Sequence, residues 1–151
     1  MLFLYTLFGR IVTQSNGPNW GRSLGRLEGE SNRMTEKLIV EKFSALGYIS
    51  KSNELYLPIE NVKQLTDECQ KQKVSIIGVE FFHKDGEKII PVDPINGIDC
   101  SVLLSKYSRW DDVVDLCCNV VKNILMEEEH RDKTQWCNLT LLDQRDWKRQ
   151  R

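Results

Sequence analysis

The densest run of apolar positions lies at 74–82, where Val74, Ile76, Ile77, Val79, Phe81 and Phe82 put apolar groups on both faces of an extended chain. A strand covered on both sides carries that pattern. Asp85-Gly86 follows, and then Ile89-Ile90. Asp-Gly between two apolar runs predicts a hairpin, because glycine takes the positive φ of a primed turn. A two-residue turn at Asp85-Gly86 sets Lys84 against Glu87, Phe82 against Ile89 and Glu80 against Pro91. Pro91 cannot donate to a ladder, so the returning strand is expected to lie at an edge or to end there. In this register Glu80 shares a face with Asp93, its diagonal neighbour.

Helical stripes flank the hairpin. Leu38, Ile39, Phe43 and Leu46 recur at helical spacing over residues 35–46, with Gly47 placed as a C′ residue. Glu54 to Leu57 reads as a brief extended piece. Pro58 then opens a second helix with the stripe Ile59, Val62, Leu65 and Cys69. The third helix is the clearest: Trp110, Val113, Val114, Cys117, Val120, Val121, Ile124 and Leu125 form a broad apolar face. Ser108 is placed to cap it, with Asp111 in a near capping box, and Asp111 and Asp112 complement its N-terminal dipole. Cys137, Leu139 and Leu141 alternate with Trp136, Asn138 and Thr140, which predicts a closing strand. The polar, basic tail at 144–151 is expected to fray. The fold expected is α+β: two layers, a small mostly antiparallel sheet of about three strands, and about three helices covering it.

The first 33 residues lack such patterning. Met1 to Phe8 is apolar but too short to span a bilayer, and it has no convincing features of a secretory signal. The Gly-, Ser-, Asn- and Arg-rich stretch after it reads as a disordered arm. Residues 1–33 are expected to be a flexible extension, or a product of an over-extended start with translation beginning at Met34. Residues 34–143 then form a single domain.

Charge and cysteines narrow the function classes. Twenty-one basic and 22 acidic side chains leave a net charge of −1, which does not announce a nucleic-acid binder. The five cysteines are odd in number and contain no Cys-x-x-Cys, a pattern natural to a reducing cytoplasm. His83 and Cys100 lack zinc-ligand spacing, and no Gly-rich phosphate loop follows a strand. Neither a metal nor a cofactor is expected, and the basic tail with Trp147 reads as solvated rather than as a nucleic-acid contact.

One anomaly remains in the central strand: Gly78-Val79-Glu80, a missing side chain and a carboxylate among aliphatics. Glu80 reads as a strand carboxylate satisfied by Lys84, Lys88 or solvent, or as part of an acidic surface for a basic partner. A catalytic pair of Glu80 with Asp93 is the third reading. It finds no histidine, nucleophile or metal set in a recognisable order. Gly78 permits a bulge or a close helix, or leaves room for a ligand. Trp110 is placed in the core, or else at an interface rim.

Residues 59–142 also carry a family resemblance. The helix IENVKQLTDECQKQ, the strand VSIIGVEFF with its Ile-x-Gly-x-acidic segment Ile76 to Glu80, the Trp-led helix RWDDVVDLCCNVVKNI and the strand WCNLTLL occur in that order. Together they resemble the immunity protein 40 family of bacterial polymorphic toxin systems, related to immunity proteins of anticodon-nuclease colicins. The resemblance implies a cytoplasmic protein, not an enzyme, that binds and blocks a cognate toxin domain without nucleic acid, membrane or cofactor. Nuclease toxins are basic because their substrate is polyanionic. A patch of Glu80, Asp85, Asp93, Asp99, Asp111 and Asp112 is then expected to imitate phosphates, with Phe82 or Trp110 as aromatic anchor. The alternatives are a small interaction or regulatory module with no toxin partner, and an enzyme using Glu80 and Asp93.

Overall fold

The computed structural model describes residues 30–93 and 96–150. The expected extension at 1–33 lies outside them, except for its last four residues, which belong to the first helix. Among the described residues four helices and six strands follow one another. They are α1 (Glu30–Ser44), β1 (Tyr48–Ile49), β2 (Leu55–Pro58), α2 (Ile59–Gln72), β3 (Ser75–Asp85), β4 (Lys88–Pro91) and β5 (Gly97–Asp99). A 3₁₀ turn (Ser101–Ser105), α3 (Trp110–Arg131), β6 (Trp136–Leu142) and α4 (Gln144–Arg149) complete the chain. Among the described residues no helix is long and apolar enough to cross a membrane.

The strands make one antiparallel sheet in the order β1-β2-β6-β3-β4, and β5 also pairs with β3. The α+β class is as expected, but six strands stand where about three were. β2 falls on the expected extended piece. β1 and β5, of two and three residues, take their partners from elsewhere in the fold, so no local period marks them.

β3 is the hub. β6 holds one of its edges along nearly its whole length, and β4 and β5 share the other. The hairpin turn is Gly86-Glu87, one residue later than expected, because Asp85 pairs with Lys88. Gly86 takes a φ of 61° and Glu87 is not among the positive-φ residues, the signature of a type II′ turn. The corrected register puts Phe82 opposite Pro91. It puts Glu80 opposite Asn138 on β6 and Gly97 on β5, not opposite Pro91. Regular continuation of β4 would place Asp93 against Glu80. Gly97 stands there instead, so the chain loops out four extra residues between β4 and β5.

The core lies on one sheet face. Leu57, Cys137, Val79 and Phe81 form a cross-strand row or lie beside it, and α2 and α3 lay Val62, Leu65, Cys69, Val113, Val114 and Val121 against them. Ile39 and Phe43 of α1 join the same cluster. Each fully buried aliphatic contributes about 1.5–3 kcal/mol relative to an exposed one. α2 ends on Lys73, a non-glycine in the left-handed region at φ 63°, and the amide of Val74 bonds back to the Cys69 carbonyl at 2.9 Å. The chain can then turn directly into β3.

Two expected caps differ. Gly47 has no positive φ. It lies so close to β2 that an added Cβ would meet the Tyr56 carbonyl oxygen at 2.2 Å, so close approach demands the glycine. Arg109, not Ser108, is the N-cap of α3, with no side-chain capping bond.

The tail departs most from expectation. Asp143 caps α4 by accepting from the Asp146 amide at 2.9 Å. Trp147 is buried 5.3 Å from the Trp110 ring, and its indole N–H donates to the Leu104 carbonyl at 2.9 Å. One large aromatic in a polar segment supplies the burial that holds it.

Candidate functional site

Residues on β2, β3 and β6 that point away from the helices build a second surface. On β2, Leu55 and Leu57 enter the core while Tyr56 and Pro58 face out. On β6, Cys137 enters and Trp136, Asn138 and Thr140 face out; on β3, Val79 and Phe81 enter and Gly78, Glu80, Phe82 and Lys84 face out. Strand pairing aligns Tyr48, Tyr56, Asn138 and Glu80 in one row, and Pro58, Trp136, Phe82 and Pro91 in the next. Directly opposite residues share a face, so these rows form one surface. Phe82, though only 8% exposed, stands outside the core cluster.

Rings carpet this surface. Tyr56 meets Phe82 edge to face at 5.3 Å, and Tyr48 lies 6.2 Å from Tyr56. The Lys84 ammonium sits 5.2 Å from the Trp136 ring centre and 5.9 Å from that of Tyr48, while donating to the Gly86 carbonyl at 2.6 Å. Those distances suit cation–π attraction. Asn138 lies low, donating to the Leu55 carbonyl at 3.1 Å.

Two carboxylates sit among the rings. Glu54 Oε2 accepts from the Tyr56 hydroxyl at 3.4 Å and from Ser52 Oγ at 3.3 Å. Glu80 is half-buried, and its carboxyl has no hydrogen-bond or ion-pair partner among the described residues. Burial raises the Glu80 pKa, and the charge of Glu54 raises it further. Tyr56 is pushed up to about 12, by burial first and then by Glu54 and Glu80. Glu54 therefore acts on both Glu80 and Tyr56, and Glu80 acts on Tyr56 as well. Lys84 stands on the rings and makes no ion pair with either glutamate among the described residues.

The eight residues expected to bind a partner do not gather. Glu80 and Phe82 lie together on this face. Asp85 is exposed at the hairpin end, and Asp93 is exposed in the looped-out segment. Asp99 is buried, accepting from the Ser101 amide at 2.9 Å. Asp111 and Asp112 are exposed at the start of α3, where Asp111 pairs with Lys73 at 3.6 Å. Lys73 precedes β3 and Asp85 ends it, so these acids are roughly 30–35 Å apart along an extended chain. Trp110 is 4% exposed, and its indole N–H donates to the Lys73 carbonyl at 2.7 Å, which makes it a core residue rather than a rim anchor. The ladder gives Glu80 Gly97 as its neighbour where Asp93 was expected, and the carboxylate that acts on it is Glu54.

Sequence reasoning missed Tyr48, Glu54, Tyr56, Trp136 and Asn138 as members of this face. The alternation Leu55-Tyr56-Leu57 was a signal, but β2 pairs with β6, with Leu57 against Cys137. No local pattern reports such a pairing. Among the described residues no group of three His, Cys, Asp or Glu is placed to hold a metal ion. No family model, curated protein or solved structure matches this chain.

Proposed function

We propose that this chain is an immunity protein that binds and blocks a toxin domain in the cytoplasm, and that the sheet face turned away from the described helices is its binding surface. The observation that carries the reading is Glu80: a half-buried carboxylate with no partner among the described residues, set among Tyr56, Phe82 and Trp136. A desolvated charge is costly unless something pairs with it. Tyrosine and tryptophan are enriched among the residues that carry protein-binding energy. Five buried free thiols suit a reducing compartment. The resemblance of residues 59–142 supplies the partner class, a toxin domain. A nuclease toxin would offer a basic surface complementary to this face.

Co-expression with the product of the adjacent reading frame tests the reading. That product alone should arrest growth, this chain should restore it, and the two should co-purify as a complex that Glu80→Lys breaks without unfolding the chain. Absence of both rescue and complex overturns the proposal.

A further inference from the structure

The sheet face is also specific about what it can receive. The charge of Glu54 adds to the cost of ionising Glu80, and neither carboxylate meets a lysine or arginine among the described residues. On the same face, the Lys84 ammonium rests on the rings of Trp136 and Tyr48. It shows that these rings accept a positive charge, yet it leaves both carboxylates unmatched. Beside Glu80, Gly78 contributes no side chain: a Cβ there would find Thr140 at 3.6 Å and nothing closer. Asn138, between Glu80 and Tyr56 in the row, is tied down to the Leu55 carbonyl. The face therefore has low ground at Gly78 and Asn138, the half-buried rings of Tyr56 and Trp136 beside it, and two carboxylates, Glu80 and Glu54.

We propose that this ground receives one arginine side chain of the partner protein, its guanidinium paired with the Glu80 carboxylate and stacked against the Tyr56 and Trp136 rings, with Glu54 adding charge from the strand edge. Arginine fits better than lysine. A planar guanidinium can stack on a ring and give a forked pair of hydrogen bonds to a carboxylate at once, whereas an ammonium is a strongly hydrated point charge. Pairing would also offset the repulsion between the Glu54 and Glu80 carboxylates. The inference rests on the reading of this face as the binding surface, and it names the group that the face recognises.

The test uses the full chain, labelled with nitrogen-15, titrated with N-acetyl-arginine methylamide. N-acetyl-citrulline methylamide serves as the isosteric neutral control. Arginine should cause saturable shifts at the Trp136 indole and the Tyr56 and Asn138 amides, with millimolar affinity, the range of a single small contact. Citrulline should bind at least about tenfold more weakly, as should arginine to a Glu54→Gln/Glu80→Gln variant whose spectrum shows it folded. Equal response to citrulline, unchanged affinity in the double variant, or no saturable shift overturns the proposal. So does a preference for N-acetyl-lysine methylamide. Failure here is distinguishable from failure of the immunity reading. If the co-expressed toxin forms a complex sensitive to Glu80→Lys but the arginine probe does not bind, the arginine site falls and the function stands. If the probe binds and no toxin complex forms, the function falls and the site stands.

Discussion

The rings of Tyr56 and Phe82 meet edge to face, 5.3 Å between centres and 78° between planes, although β6 lies between their strands. They can meet because Asn138, the intervening residue of β6, is small and bonded down to the Leu55 carbonyl. The contact joins β2 to β3 on the sheet face turned away from the described helices. Phe82→Ala is therefore expected to cost about 2–4 kcal/mol, as truncation of a buried aromatic does. Tyr56→Phe keeps the ring contact and loses only a long 3.4 Å bond to Glu54, so its change should stay within about 0.5 kcal/mol. Urea unfolding of the two variants measures both. Equal losses would mean that the hydroxyl, not the ring, joins the strands.

Glu80 should leave a mark on the pH dependence of stability. Burial and Glu54 raise its pKa in the folded chain, so the native state holds this proton more tightly than the unfolded chain does. Stability from this group is then lost as pH rises through the raised native pKa. It is regained as pH falls toward the unfolded value of about 4.3. Asp132, held below the usual range by its Thr134 hydrogen bonds, works in the opposite direction, so the parent's own profile mixes the two. The difference between parent and Glu80→Gln isolates the first. Glu80→Gln should be the more stable protein at pH 7.5, with the gap closing near pH 4. Urea midpoints across that range decide it, and a gap that does not change with pH would show that charge is not the cause. A variant that gains stability yet loses its partner is what a surface built for recognition should give.

The last helix gives a stability prediction against the appearance of its sequence. Trp147→Ala removes a buried ring that packs on Trp110 and donates to Leu104, and should cost about 3–5 kcal/mol. Asp143→Ala removes the cap and should cost about 0.5–2 kcal/mol. Lys148→Ala, on an exposed side chain, should be nearly neutral. Thermal or urea unfolding of the three ranks them, and three equal, small effects would show that residues 144–149 add nothing to the fold.

These residues also show where sequence reasoning reached and where it stopped. The stripe from Trp110 to Leu125 and the strand at Cys137 to Leu141 were legible because their period repeats locally and every repeat is buried. α4 was not, since six residues with one tryptophan have no period to read. The hairpin was legible as a hairpin, but not in register, because Asp85-Gly86 and Gly86-Glu87 both put a glycine where a positive φ is needed. Glu80 and Phe82 stood out as a carboxylate and a ring in an apolar strand. Their neighbours Tyr48, Glu54, Tyr56 and Trp136 did not, because β2 reaches β3 only through β6. The six carboxylates do not form one patch because β3 separates them: Asp85 ends that strand, whereas Asp111, next to Asp112, pairs with Lys73 just before it begins.

Gly78 separates a structural need for glycine from a functional one. Its φ is not positive, and a Cβ would make only ordinary contacts, 3.6 Å to Thr140 and 3.7 Å to the Ile98 carbonyl. Its nearest described neighbours are strand residues, and the β-bulge at Ile77 lies beside it. Nothing in the backbone or packing therefore requires the missing side chain. Gly78→Ala should stabilise the protein by about 0.4–1 kcal/mol, through the smaller entropy of the unfolded chain. A larger residue tests the other half of the argument, because it would stand on the open face next to Glu80. Gly78→Leu should keep the fold, shown by an unchanged amide spectrum away from the site, while weakening the arginine probe at least about tenfold. Full binding by a folded Gly78→Leu variant would place the recognition ground elsewhere on the sheet. Loss of the fold in Gly78→Ala would return this glycine to a purely structural role.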